Sequence, residues 1–331
     1  MGLSKASWDM GMISSAHEFS GHPLSYAASL RLLTASPSFP AAPPPPCYVA
    51  PMPAPRIAVV GHVEHVTLGR AEGVPAPGDI VHLLDARFLP GGGGGLAFAQ
   101  LCRSDAEIHL FTALGHDAAA RAVEARIRVA PGRVHVHAAV RAVDHPRVVV
   151  VVDAEGRRTI IVTGAPLQPA ATDPLPWSIL AGCDAAYFTG ADPESLRLAR
   201  AARRLVVTAR RGAALRAAAV APDVVLGSAS DPRENAPLDA YDPRPGALVL
   251  TDGPRPVRVL RPGSAALVDA PPAPNRVLGD YGAGDSFAGA LAFHLAHGLP
   301  VEEACRRAGP HGAAVLRGID PLETQIPLVP P

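Results

Sequence analysis

Apolar and polar positions change their rhythm twice along the chain. Residues 1–55 keep no regular period and close on Pro40-Ala41-Ala42-Pro43-Pro44-Pro45-Pro46 and Pro51-Met52-Pro53-Ala54-Pro55, a polyproline-like tract that cannot join a sheet. We expect this extension to lie outside the fold, either as a disordered tail or as sequence upstream of the true start, for which Met52 is a candidate. From Arg56 short apolar runs begin. Ile57-Ala58-Val59-Val60-Gly61 predicts a buried strand of a parallel sheet. The run Gly91 to Gly95 then opens an apolar helix, and residues 107–117 predict a strand and turn leading into a helix over 118–127. Residues 133–140, 147–152 and 159–163 are β-rich runs with no helix between them, and so predict a small antiparallel sheet. After that the pattern reverts. Strands over 184–189, 205–208, 224–226 and 248–251 alternate with helices over 193–203 and 213–220, which builds a parallel sheet with right-handed crossovers. Residues 301–316 predict a last helix, and the expected class is α/β.

Composition adds limits rather than elements. The 331 residues suffice for one large α/β domain. The 31 glycines and 37 prolines make about a fifth of the chain, below the ~25–30% that marks disorder. Basic and acidic residues cancel at 30 each, leaving no net field to recruit nucleic acid or an anionic membrane. No run of ~18 apolar residues is present, so no membrane span is expected. Cys47, Cys102, Cys183 and Cys305 lie far apart without a Cys-x-x-Cys pair, which argues against cysteine-bound zinc and a disulfide scaffold and fits a reducing cytoplasm.

The histidines draw attention but form no obvious ligand set. His62 and His65 flank Glu64 just past the first strand, where open α/β sheets bind ligands; without a third ligand nearby they read as solvated or substrate-facing. His135 and His137 share one strand face by alternation and read as the solvated or substrate face of the small sheet rather than a metal site.

The chemistry gathers in Gly279-Asp280-Tyr281-Gly282-Ala283-Gly284-Asp285-Ser286-Phe287, a glycine turn running into an alanine-rich helix. Such a turn directs unpaired N–H groups outward at the positive end of a helix dipole, which suits a phosphate. Asp285 in the first turn is either a plain first-turn acid or a base that takes the proton of a hydroxyl attacking that phosphate. The residue alone leaves both readings open.

The whole nonapeptide resembles the C-terminal signature of the ribokinase-like (PfkB) carbohydrate kinase family, Asp-Thr-x-Gly-Ala-Gly-Asp-x-Phe. It matches at Asp280, Gly282, Ala283, Gly284, Asp285 and Phe287, with Tyr281 where Thr is usual. Gly91-Gly92 through Gly115-His116-Asp117 is similar to the N-terminal signature. The resemblance covers residues 56–320 and implies a three-layer α/β/α domain with a mostly parallel central sheet. It also implies a small β lid built from about 78–90 and 133–163, with 321–331 as a tail. The activity implied is ATP-dependent phosphorylation of a hydroxyl on a sugar or sugar-like small molecule. Asp285 would be the base, the amides of Gly282, Ala283 and Gly284 the anion hole, and Mg²⁺ the bridge between nucleotide phosphates. Glu64, Gly91, Gly92 and Gly93 would meet the substrate.

The resemblance also assigns the nucleotide side. Thr251 and Gly253 would belong to the nucleotide loop, with Pro256 in place of its last glycine, and His311 would face the adenine. Asp231 closes Ser228-Ala229-Ser230-Asp231, which stands where the family has Asn-x-x-Glu, and would be linked to Mg²⁺. Asp280 would help hold a monovalent cation such as K⁺. In relatives the lid strands often pair across a homodimer.

Two departures bear on the substrate. An asparagine of the ribokinase branch falls on Leu96. A lid glutamate is replaced by Arg157 or Arg158, which suggests an acidic or phosphorylated substrate unless the residue is simply an exposed turn arginine. Two rivals follow: a sugar- or nucleotide-binding regulator that has lost catalysis, and a nicotinamide-dependent oxidoreductase resting on Gly91 to Gly95. The second is weaker, because a dinucleotide fingerprint has its glycine turn directly after the first strand.

Overall fold

Strand β1 (Arg56–Val60) is buried from Ile57 onward and is an interior strand of the main sheet. The computed structural model describes residues 54–331, so the expected extension up to residue 53, with Met52, lies outside the described residues. β2 (Glu64–Arg70) and β3 (Leu84–Gly91) pair antiparallel and lead into α1 (Gly92–Leu101), which is buried on nearly every side. β4 (Glu107–Leu114), α2 (Ala118–Arg128) and β5 (Arg133–Val140) make a strand–helix–strand unit, with the Asp117 carboxylate capping the helix. β6 (Arg147–Val152) and β7 (Arg158–Thr163) follow. Then β8 (Ala185–Phe188), α3 (Pro193–Ala199), β9 (Leu205–Thr208), α4 (Gly212–Ala218), β10 (Val224–Ser228) and β11 (Ala247–Asp252) alternate as expected. β12 (Arg255–Arg261), β13 (Ser264–Val268), α5 (Ala283–Ala296), α6 (Val301–Val315) and α7 (Pro321–Thr324) complete the described chain.

The main sheet has nine strands in the order β13-β12-β11-β10-β9-β8-β1-β4-β5, parallel from β5 to β11 and antiparallel beyond. Its two faces carry separate cores. Ile57, Val59, Leu110, Phe287 and Leu291 belong to one; Ala58, Val60, Phe188, Leu196 and Leu215 belong to the other. Helices thus cover both faces, giving the expected three-layer α/β/α architecture. The second sheet, β3-β2-β6-β7, contains strands expected in the lid and is called the lid. Among the described residues no helix is long and apolar enough to cross a membrane.

Three expectations change. Residues 133–140 are not lid: β5 pairs in parallel with β4 along its full length, because a helix separates the two and the crossover returns the chain to the same sheet. The lid is consequently mixed, with β2 parallel to β6 and its other pairs antiparallel. The strand expected over 78–90 begins at Leu84, and β2 supplies the strand the sequence reading passed over. Nor are residues 321–331 a loose tail. Gln325 donates to Leu96 O at 3.0 Å and to Ser286 Oγ at 2.9 Å, and Leu328 is buried in the core.

Candidate active site

The sheet reverses its winding at β1, which has β4 on one side and β8 on the other. Open parallel sheets bind ligands beyond the carboxyl ends of strands at such a point. A crevice of about 1330 Å³ opens there under β7 of the lid.

Two helix N-termini meet in this crevice. Helices α1 and α5 touch where Gly289 packs on Ala97, a contact so close that a Cβ on Gly289 would stand 2.8 Å from the Ala97 carbonyl oxygen. The contact lies about one and a half turns into each helix, which brings both starts to one place. At α5, Gly282 adopts φ 85° and ψ 0°, the left-handed conformation that favours glycine. The N–H groups of Gly282 and Gly284 find no acceptor among the described residues. The Ala283 N–H does, making a long 3.4 Å turn bond to Asp280 O, so the expected three-amide hole is open at two of its members. A Cβ on Gly284 would meet no atom within 4 Å.

Asp285 lines the same crevice, and its carboxylate has no hydrogen-bond partner among the described residues. Its Oδ1 faces the start of α1, lying 3.2 Å from where a Cβ of Gly93 would be. Burial pushes its carboxyl up to about 6; Arg158 pulls it down and Glu234 pushes it further up.

The floor opposite Asp285 is polar. Glu64 is buried, and burial followed by the charge of Asp285 raises it to about 7 against the pull of Arg211. Burial and Arg211 bring His62 down to about 4, so its ring is neutral near pH 7. Arg211, which the sequence reading missed, donates from Nε to Thr189 O at 2.8 Å and takes part in no ion pair among the described residues. Its signal was its place, just past the end of β9 where the crevice opens. Gly92 and Gly93 line the crevice with Glu64. Gly91 does not. A Cβ there would collide with Tyr281 Oη at 2.4 Å, so this glycine makes room for Tyr281, whose hydroxyl accepts the Gly92 N–H at 3.3 Å. Tyr281 is thus no neutral replacement for threonine: it fills the small core between the second sheet and α1, and caps α1.

Thr251, Gly253 and Asp231 lie on the other arm of the crevice, beside an apolar slot that includes Pro271, Val277, Gly312 and Leu316. His311 is not on it. Helix α6 turns Gly309, Gly312, Ala313 and Leu316 to the crevice, and His311, ~100° round the helix from Gly312, is buried on the far side. Asp231 accepts from Arg233 at 2.9 Å and Arg210 at 2.7 Å, and the Arg233 bonds lead in pulling its carboxyl down to about 2. Glu234, also unforeseen, pairs with Arg210 and accepts the Ser228 N–H at 3.0 Å. The search by motif spacing stopped at Asp231, three residues short of it. Of the two lid arginines, Arg157 pairs with Asp153 and Glu155 at the surface, whereas Arg158 reaches the crevice and pairs with Asp280. Arg158 occupies one oxygen of the Asp280 carboxylate, while the other, Oδ1, is buried without a partner.

The sequence model of the pfkB family carbohydrate kinases matches residues 54–321. The chain belongs to this family. Solved structures share its architecture. Arabidopsis thaliana ribokinase complexed with ribose and ATP is 17% identical, over 82% of this chain and 96% of that one, with a TM-score of 0.65. The adenosine kinase from Sinorhizobium meliloti is 18% identical, over 83% and 97%, also at 0.65. The Burkholderia thailandensis nucleoside kinase in complex with inosine is 16% identical, over 82% and 92%, at 0.63. At these identities the likeness is one of fold. No curated protein matches the chain in sequence. This chain is therefore a member of a family of carbohydrate kinases.

Proposed function

We propose that the protein transfers the γ-phosphoryl group of ATP to a hydroxyl of a sugar or nucleoside, with Asp285 as the base. The observation that carries this reading is a carboxylate without a partner, next to two amides without acceptors, all facing one open crevice. The acceptor hydroxyl sits between Asp285 and the start of α1. As its oxygen bonds to phosphorus, the O–H bond breaks toward the Asp285 carboxylate and the bond to ADP opens. The Gly282 and Gly284 N–H groups stabilise charge on the moving phosphoryl group, a kind of donor worth ~3 kcal/mol in other enzymes. Glu64, His62 and Thr189 hold the acceptor's remaining hydroxyls, and Leu96 replaces one such contact with an apolar one. Mg²⁺ arriving with ATP supplies neutralisation of the phosphates. Asp231 and Glu234 are the residues that would hold it, because carboxylate oxygens suit a hard cation that keeps much of its water, and Arg210 and Arg233 would have to give way to it.

A coupled assay for ADP release across neutral sugars, nucleosides and sugar phosphates tests the reading, and at least one acceptor should stimulate release. The pH profile adds a check. A base must be ionised, so activity is present above its pKa and lost below it. With Asp285 at about 6, kcat/KM falls about tenfold per pH unit below that value. Glu64, near 7, interacts with Asp285, so the acid limb is that of the pair. A profile flat down to pH 4 would remove Asp285 from the role.

Gly284→Ala separates chemistry from stability. The new Cβ meets no protein atom and alanine suits a helix better than glycine. The Tm should therefore hold or rise, while the methyl group stands where the phosphoryl group must pass and, although the N–H remains, the displaced group lowers turnover at least ~10-fold. Unchanged turnover would mean that phosphate passes elsewhere.

A further inference from the structure

At the opposite end of the parallel strands, a second set of reactive side chains gathers on the edge of the main sheet. Glu107 and His109 of β4 and His135 and His137 of β5 share one face, because alternate residues of a strand point the same way and the register sets His109 opposite His135. Glu107 Oε1 lies 3.0 Å from His109 Nε2 and 3.4 Å from His135 Nε2. One donor atom from each of the three lies within 4.8 Å of the others. Two ligands held at ~2.0–2.1 Å by a tetrahedral ion stand about 3.4 Å apart. The 3.4 Å spacing is that of such a pair, and the 3.0 Å one, a hydrogen bond, opens slightly when an ion takes the proton's place.

We propose that Glu107, His109 and His135 form a binding site for a divalent transition ion of the zinc type. Two imidazoles and a carboxylate favour zinc over magnesium, which takes oxygen donors. The far side of His109 supports the assignment: its Nδ1 lies 3.2 Å from His137 Nε2, the outer contact that a ligating histidine uses to fix its tautomer. Two features set the affinity. His109 and His135 are stacked, with centroids 4.6 Å apart and planes 12° from parallel, so His135 must rotate to aim its lone pair; being half exposed, it has room. Arg56 Nη2 stands 3.4 Å from both Glu107 Oε1 and His109 Nε2. A positive charge already sits against these donors, and the ion must displace it.

The site is separate from catalysis. Glu107 lies opposite Arg56 at the start of β1, whereas the crevice opens past the other end of that strand. A bound ion would tie edge strand β5 to β4.

Titration calorimetry of the full chain with Zn²⁺ at neutral pH, with Mg²⁺ as control, tests the proposal. It predicts one saturable Zn²⁺ site that Mg²⁺ does not compete for, and a Tm that rises with Zn²⁺. His135→Ala, a change at a half-exposed position that should leave the metal-free Tm unaltered, removes the site. His137→Ala weakens it roughly 10–100-fold, as loss of an outer-shell partner does. Arg56→Gln tightens it. Absence of a saturable Zn²⁺ site, or equal affinity in His135→Ala, overturns the proposal.

Discussion

Asp285→Asn lowers turnover roughly 10²–10⁴-fold, the range lost with a general base, while ATP binds about as tightly as before. Asparagine keeps the shape of the carboxylate and its place in the first turn of α5, so the amides and the nucleotide arm are untouched. The same variant should be no less stable than the native protein. The folded-state pKa of Asp285, about 6, lies above the unfolded value. Whatever stability protonation contributes is therefore present below the unfolded pKa and lost as pH rises through 6, so at pH 7 to 8 the native chain carries a buried charge that the amide lacks. Thermal melts and steady-state kinetics at pH 7.5 check both halves. An inactive variant with a lowered Tm would indicate a structural role for Asp285.

Gly94→Ala has the largest expected effect on folding. Its Cβ would fall 2.6 Å from His62 O and 3.0 Å from the Gly61 carbonyl carbon, main-chain atoms that no rotamer change can move aside. Helix α1 lies against the end of β1 at this point, and the substitution pushes the two apart. Overpacking of this kind costs about 1–3 kcal/mol and occasionally more, and for a domain of this size that lowers Tm by several degrees. The displaced segment carries His62 and Glu64, so KM for the acceptor rises as well. A denaturant melt with acceptor titration reads both effects, and an unchanged melt would contradict the packing described for α1.

Much of this arrangement was legible before any coordinates. β1 and β8 to β11 are buried on both faces, so they appear in the sequence as short apolar runs, and the glycine turn before α5 carries its own chemistry. The failures have physical causes. β5 was grouped with the lid because its neighbours on the C-terminal side are strands, although the helix before it already demanded a parallel return to β4. β2 shows the period-two burial of a strand with one solvated face, but it follows β1 so closely that it passed for a loop.

The run Gly91 to Gly95 looked like a single device. Gly91 clears space for Tyr281, Gly93 faces Asp285 and Thr189, and Gly94 admits β1. Each role is set by an atom distant in sequence, which no local pattern reveals. His311 was assigned to the right helix on the wrong face, and the helical period, applied from Gly312, would have corrected it. Arg211 and Glu234 stand just past strand ends; strand-end position identifies them better than motif spacing does.

The most direct measurement is product formation in a single turnover. Native chain and Asp285→Asn are each mixed in excess over γ-labelled ATP with magnesium and an acceptor that stimulates ADP release, and the labelled phosphomonoester is followed in time. Rapid transfer to the acceptor by the native chain, slowed at least ~100-fold in the variant with ATP still bound, is the predicted result. Equal rates of labelled product from the two proteins would contradict it.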